Sequence, residues 1–184
     1  MGFVSKYLMV ALRLWELICS VIILGILGRF LHLLNIAGAE HDGRVIYAIS
    51  FAVISTLYSI LFMPPFMHAF LAFPADFVLF VAWLVAFCLL IVRSGTDTCG
   101  SYWYWSYWGY YWGSWWYYPF PVLGPGDINY DGCGQWRAVL AFSFIVSFTY
   151  LVSAILGGIV VFKYYNEGKV NKDKQTKRTA PLQP

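Results

Sequence analysis

AVLAFSFIVSFTYLVSAILGGIVVF, residues 138–162, contains no Asp, Glu, Lys or Arg. A helix crossing the hydrocarbon of a bilayer needs about 20 consecutive apolar residues, so this stretch can span. Working outward, three further stretches meet the same demand, at 14–34, 45–63 and 74–92. Between Val45 and Val92 the only Asp, Glu, Lys or Arg is Asp76. The rest of the composition agrees. Only 11% of the 184 residues are charged, against about 25% in soluble domains. That is too little charge to cover a globular surface in water.

The expected fold is therefore an all-α integral membrane protein, a bundle of four transmembrane helices. An N-terminal arm (1–13) leads into the four-span region (14–162). A large second outer loop (93–137) separates the third and fourth spans, and a basic tail (163–184) follows. The tail carries Lys163, Lys169, Lys172, Lys174, Lys177 and Arg178 against Glu167 and Asp173, and the arm carries Lys6 and Arg13. Basic residues stay on the cytoplasmic side, so both termini are expected there. Lys169, Lys172, Lys174, Lys177 and Arg178 would then contact the anionic inner leaflet, each contributing about 1 kcal/mol. The outer loops hold Arg44, Arg93 and Arg137, offset by Glu40, Asp42, Asp97, Asp127 and Asp131. The first span reads as an anchor rather than a cleaved leader. Ala37-Gly38-Ala39 resembles a cleavage site, but the apolar stretch exceeds the roughly 7–15 residues of a signal core and Arg29 interrupts it.

Helices in lipid associate through small residues that let backbones approach. Ala48, Ala52, Ser55 and Ser59 share one face of the second span. Ser143, Ser147, Ala154, Gly157 and Gly158 lie on the fourth, Ala82 and Ala86 on the third, and Gly25 and Gly28 on the first. Trp136 and the pair Tyr164 and Tyr165 bracket the fourth span as interfacial anchors. Glu16 lies within a turn of Arg13, where the two can pair at the membrane edge. Asp76 falls in the first turn of the third helix, where a carboxylate complements the helix dipole or contacts lipid headgroups or a partner. Arg29 and His32 sit in the outer part of the first span and can snorkel to the surface. No charge falls at mid-membrane, which counts against a small transporter or channel.

Cys19 and Cys88 lie within spans and read as small packing residues, Cys19 also lying near enough to the cytoplasmic edge for palmitoylation. Cys99 and Cys133 bracket the second outer loop, and an extracytoplasmic loop favours a disulfide between them. No metal-ligand spacing, nucleophile–base pair or phosphate-binding loop occurs, so neither enzyme activity nor a cofactor is expected. Nucleic acid is not an expected partner, because the aromatics are not interleaved with Lys or Arg.

Inside the bracket, residues 102–120 read YWYWSYWGYYWGSWWYYPF. Such rings favour the headgroup zone of a membrane. They also suit stacking on the flat faces of an external polysaccharide, or self-association. Tyr102, Trp103, Trp105, Trp108, Trp112, Trp115, Trp116 and Tyr117 are the candidate interfacial or binding residues.

The chain resembles the four-span MARVEL-like membrane proteins of fungi, including the non-classical export protein 2 type. The likeness runs from about Arg13 to Phe162. It is carried by Arg13, by Arg44-Val45-x-Tyr47, by Asp76-Phe77, by Cys99 and Cys133, and by Arg137-Ala138-x-x-Ala141-Phe142. Claudin-like proteins keep their signature cysteines in the first outer loop, which has none here. Tetraspanins need a Cys-Cys-Gly that this chain lacks. The aromatic run departs from the family pattern. The resemblance implies a non-enzymatic, multi-pass organiser of the plasma membrane, occupying lateral microdomains or accompanying vesicle traffic. Its partners would be membrane lipids, further copies of itself or other membrane proteins. The alternative is a surface-binding membrane protein whose aromatic loop contacts polysaccharide.

Overall fold

A computed structural model describes residues 3–63, 73–95, 99–118 and 131–179. Four long helices dominate: α1 (Phe3–Ala37), α2 (Gly43–Leu61), α3 (Phe73–Ser94) and α5 (Cys133–Thr179). Each contains a segment long and apolar enough to cross a membrane, at Tyr7–Ala37, Gly43–Leu61, Phe73–Ser94 and Cys133–Lys163. Between α3 and α5 the loop forms a π-helical turn (Tyr104–Trp108), the short α4 (Gly109–Trp112) and a 3-10 turn (Trp115–Tyr117). No strand occurs among the described residues. The chain is thus an integral, multi-pass bundle of four spans.

The helices form a ring in which α1 packs on α2 and α5, and α3 packs on α2 and α5. Consecutive long helices run antiparallel, the end of α2 meeting the start of α3 at Tyr58 and Asp76. Arg13 near the start of α1 meets Ser153 far along α5 through Glu16, while Phe30 near the end of α1 meets Trp108 of the loop. The start of α1 and the end of the α5 span therefore lie at the same end of the bundle.

Small residues let this ring close. Ala48, Ala52, Ser55 and Ser59 are all buried on α2, as are Ala82 and Ala86 on α3 and Ser143 and Ser147 on α5. The first helix behaves differently. Its packing face is Cys19, Ile23, Leu27, Phe30 and Leu34, spaced by three and four residues as a helical stripe demands. Gly25 is exposed and Gly28 half-buried, with nothing within 4 Å of a Cβ built at either. Cys88 likewise faces outward, whereas Cys19 is fully buried, out of reach of an acylating enzyme. The outward faces carry large apolar side chains, with Leu61 72% and Val92 70% exposed. Polar groups meanwhile pair inside. In water that distribution would be unstable; in hydrocarbon it is the required one.

Candidate functional site: a charged layer and an aromatic cap

Near the terminal end, all four long helices contribute to one buried polar layer. Arg13 of α1 reaches Asp76 of α3 through both terminal nitrogens, Nη2 donating to Oδ2 and Nη1 lying against Oδ1, each at 2.7 Å. Such two-pronged pairing fits the planar guanidinium to a carboxylate. Arg13 Nη1 also donates to Glu16 Oε2 at 2.9 Å. Tyr58 of α2 donates its hydroxyl to Asp76 Oδ1 at 2.8 Å, and its ring lies 4.8 Å beneath the Arg13 guanidinium. Ser153 of α5 donates to Glu16 Oε1 at 2.6 Å. Arg13, Glu16 and Asp76 are 2%, 0% and 0% exposed.

The layer lies close to one end of the spans. Tyr58 stands three residues before the end of α2, and Asp76 is in the first turn of α3. The span of α1 is 31 residues, about 46 Å of helix, longer than the roughly 30 Å hydrocarbon core. That excess lets Arg13 lie near the boundary. Further in, Trp83 Nε1 donates to Ser55 Oγ at 2.8 Å, and beside the charged layer the Ser59 and Tyr150 hydroxyls approach at 3.4 Å.

Arg13, Asp76 and Glu16 were legible as polar residues at helix ends, but Arg13 bonding Asp76 across 63 positions was not. Asp76 does stand in the first turn of α3, yet its carboxylate is turned inward to Arg13. It is not free for headgroups. Tyr58 and Ser153 carry no distinguishing signal in the sequence, because Ser55, Thr56 and Ser59 flank the first and Thr149 and Tyr150 precede the second. The other residues carrying the family likeness are scattered. Arg44 points Nη1 at the Leu89 carbonyl and Tyr47 its hydroxyl at that of Ala82, both at 3.4 Å, and Arg137 is exposed.

The opposite end is closed by the aromatic loop, and here the structure departs from an interfacial placement. Trp108 is fully buried, stacked on Phe30 at 4.2 Å between ring centroids and against Trp136 at 4.8 Å. Tyr104 is also buried. Trp136 is no membrane-surface anchor: it is fully buried, donating Nε1 to Ser94 Oγ at 2.9 Å. The rings turn inward because their polar edges find partners there. Trp108 Nε1 donates to the Gly132 carbonyl at 3.0 Å and the Tyr104 hydroxyl to the Asp131 carbonyl at 2.6 Å. Trp115 Nε1 donates to Asp131 Oδ2 at 2.8 Å.

Asp42 is the second anchor. It caps α2, accepting from the Arg44 N–H at 2.9 Å. Its other oxygen accepts from Trp103 Nε1 at 3.1 Å and pairs with Arg93 Nη2 at 3.2 Å. Tyr107 accepts from the Asp42 N–H and donates to the Glu40 carbonyl. Burial raises the Tyr107 phenol above its usual range, outweighing the hydrogen bond from Asp42. An Asp three residues before the apolar run that opens at Val45 was the available signal for this cap. Trp103, Trp105, Trp112, Trp115 and Trp116 are half-buried, whereas Tyr102 and Tyr117 are exposed. Arg29 lies with its guanidinium 5.5 Å over Trp112.

A disulfide joins Cys99 to Cys133 across 34 residues, with Cα atoms 5.8 Å apart. It ties the loop's start to the first turn of α5. Lys169 is exposed beside Tyr165. The side chains of Lys172, Lys174, Lys177 and Arg178, like Asp97 and Asp127, lie outside the described residues. No group of His, Cys, Asp and Glu suited to a metal ion occurs among the described residues.

Residues 6–156 match the MARVEL family model, a membrane-associating domain. The matched region takes in the Arg13–Asp76 layer, the aromatic cap and the disulfide. No curated protein and no solved structure matches the chain.

Proposed function

The chain belongs to the MARVEL family of membrane-associating domains, and from that premise we propose that it is a non-enzymatic organiser of the plasma membrane, acting through lateral association with lipids. The observation that carries this reading is the inversion of polarity across the bundle. The charged and hydroxyl side chains from four helices engage one another inside. Large apolar side chains such as Leu57, Val92 and Ile159 face out. The broadest surface the protein presents is thus one that only lipid or another membrane protein can cover.

Both termini face the cytoplasm in this proposal, with the basic tail on the inner leaflet. The resemblance to fungal proteins of the non-classical export type supports microdomain residence, alone or with vesicle traffic. In this reading a short arm to residue 13 leads into the four spans, which end at 162, and the basic tail follows. A fluorescently tagged copy should collect in plasma-membrane patches that disperse when their lipid is depleted. Uniform fluorescence over the membrane would defeat the proposal. A polysaccharide-binding role would have to use the rings left at the surface, Tyr102 and Tyr117 foremost.

A further inference from the structure

A groove of about 1110 Å³ runs along the outside of the bundle between α3 and α5. Phe73 forms part of one wall and Leu151 and Gly158 part of the other, while Lys163 and Asn166 stand at one end. From Leu151 to Lys163 the helix rises about 18 Å, slightly more than one leaflet's share, about 15 Å, of the hydrocarbon core. Gly158 lines the groove without a side chain, and a Cβ built there would meet Phe73 Cδ2 across it at 3.9 Å, so a larger side chain would fill it. The lining is apolar along its length and carries a single charge, the Lys163 ammonium. That charge is exposed and lies on the side of the termini. Asp76, the carboxylate in the neighbouring first turn of α3, is buried and turned toward Arg13, so it does not neutralise Lys163.

We propose that this groove binds one anionic phospholipid of the leaflet on the terminal side, an acyl chain along Leu151–Gly158 and the phosphate at Lys163 and Asn166. The proposal rests on the lateral lipid association argued above and names its site. Charge complementarity selects the headgroup, since an ammonium at the end of an apolar trough matches a phosphate at the end of a chain. Lys169 lies further along the same helix, beside Tyr165, and serves as the control for diffuse attraction.

The test uses the full chain in phosphatidylcholine vesicles, with spin-labelled phosphatidylserine or phosphatidylcholine as probe and the motionally restricted fraction as readout. Phosphatidylserine should be favoured about fivefold, as expected for one lysine near the surface. Lys163→Gln should bring the two probes together, and Gly158→Leu should lower the restricted fraction of both. Lys169→Gln, which removes only part of the tail's diffuse attraction to the leaflet, should lower the preference clearly less than Lys163→Gln. Equal retention of the two probes by the wild type would overturn the proposal. So would a preference unchanged by Lys163→Gln, or lost as fully with Lys169→Gln. A Gly158→Leu variant that changes oligomeric state while leaving lipid binding intact would assign the groove to a second copy instead. Patches that persist without lipid selectivity would refute the groove and keep the organiser reading; selectivity without patches would do the reverse.

Discussion

Replacing Arg13 by Met should destabilise the bundle far more than replacing Asp76 by Asn. Among the described residues Arg13 is the one cation between two buried carboxylates, bonded to Glu16 at 2.9 Å and to Asp76 at 2.7 Å. Removing one partner of a buried pair costs about 3–5 kcal/mol because the other is left uncompensated. Arg13→Met leaves two such groups, so the upper part of that range, about 4–5 kcal/mol, applies, a shift of at least about 1000-fold in the folding equilibrium. Asp76→Asn instead leaves Arg13 matched by Glu16, and the new amide can still accept from Tyr58. Its cost should be about 1–3 kcal/mol, that of a weakened buried hydrogen bond. The Arg13→Met, Asp76→Asn double variant should fall short of the sum, since the residues share one network. Unfolding in mixed micelles with increasing dodecyl sulfate, followed by helix circular dichroism and tryptophan fluorescence, measures all four proteins. The reasoning fails if Arg13→Met lies within about 1 kcal/mol of wild type, or if Asp76→Asn proves the more damaging.

The Cys99–Cys133 bond closes 34 residues and should contribute about 4 kcal/mol in the chain-entropy model. Reduction should lower the dodecyl sulfate midpoint and open the loop to protease, and an unchanged digestion pattern would contradict this. Trp108→Ala should cost about 3–5 kcal/mol as a buried ring is lost, whereas Tyr117→Ser, at an 80% exposed position, should stay within about 0.5 kcal/mol; the same titration compares them. Gly132→Ala should be destabilising because φ is +73° there and the added Cβ would meet Trp112 Cγ at 2.6 Å. Tyr107, raised by burial, should ionise above the ordinary tyrosine value of about 10. Its stabilising contribution is complete below that value and is lost as pH rises past the folded-state value. A difference titration at the phenolate absorbance between wild type and Tyr107→Phe reads it, and ionisation at or below the ordinary value would refute the burial argument.

The spans were legible because bilayer thickness fixes their length, and the packing face of α2 because Ala48, Ala52, Ser55 and Ser59 repeat at helical spacing. The same rule misled on α1. Gly25 and Gly28 have the right spacing but the wrong azimuth, and the stripe from Cys19 to Leu34 takes the interior instead. Small residues permit close approach without requiring it. The pairing of Arg13 with Asp76 was hidden for another reason: sequence places each residue near an end of its own helix, and only the ring of helices brings those ends together.

The aromatic loop carries the most consequential difference. Ring composition alone favours an interface, because a flexible loop has no better place to put an indole. Once Cys133 is tied to Cys99 and Gly132 takes a left-handed turn, the backbone carbonyls of Asp131 and Gly132 receive Tyr104 and Trp108. Phe30 and Trp136 then offer the Trp108 ring a dry surface. An indole whose N–H is satisfied inside gains more from burial than from the headgroup zone, so the run splits. Its central rings become the bundle's lid, and Tyr102 and Tyr117 remain outside. The two ends are thus closed by different chemistry. The terminal end uses charges that must pair, and the opposite end uses rings held by a disulfide and a two-residue turn. Substitutions at Tyr102 or Tyr117 should leave that closure standing while changing whatever the outer surface touches.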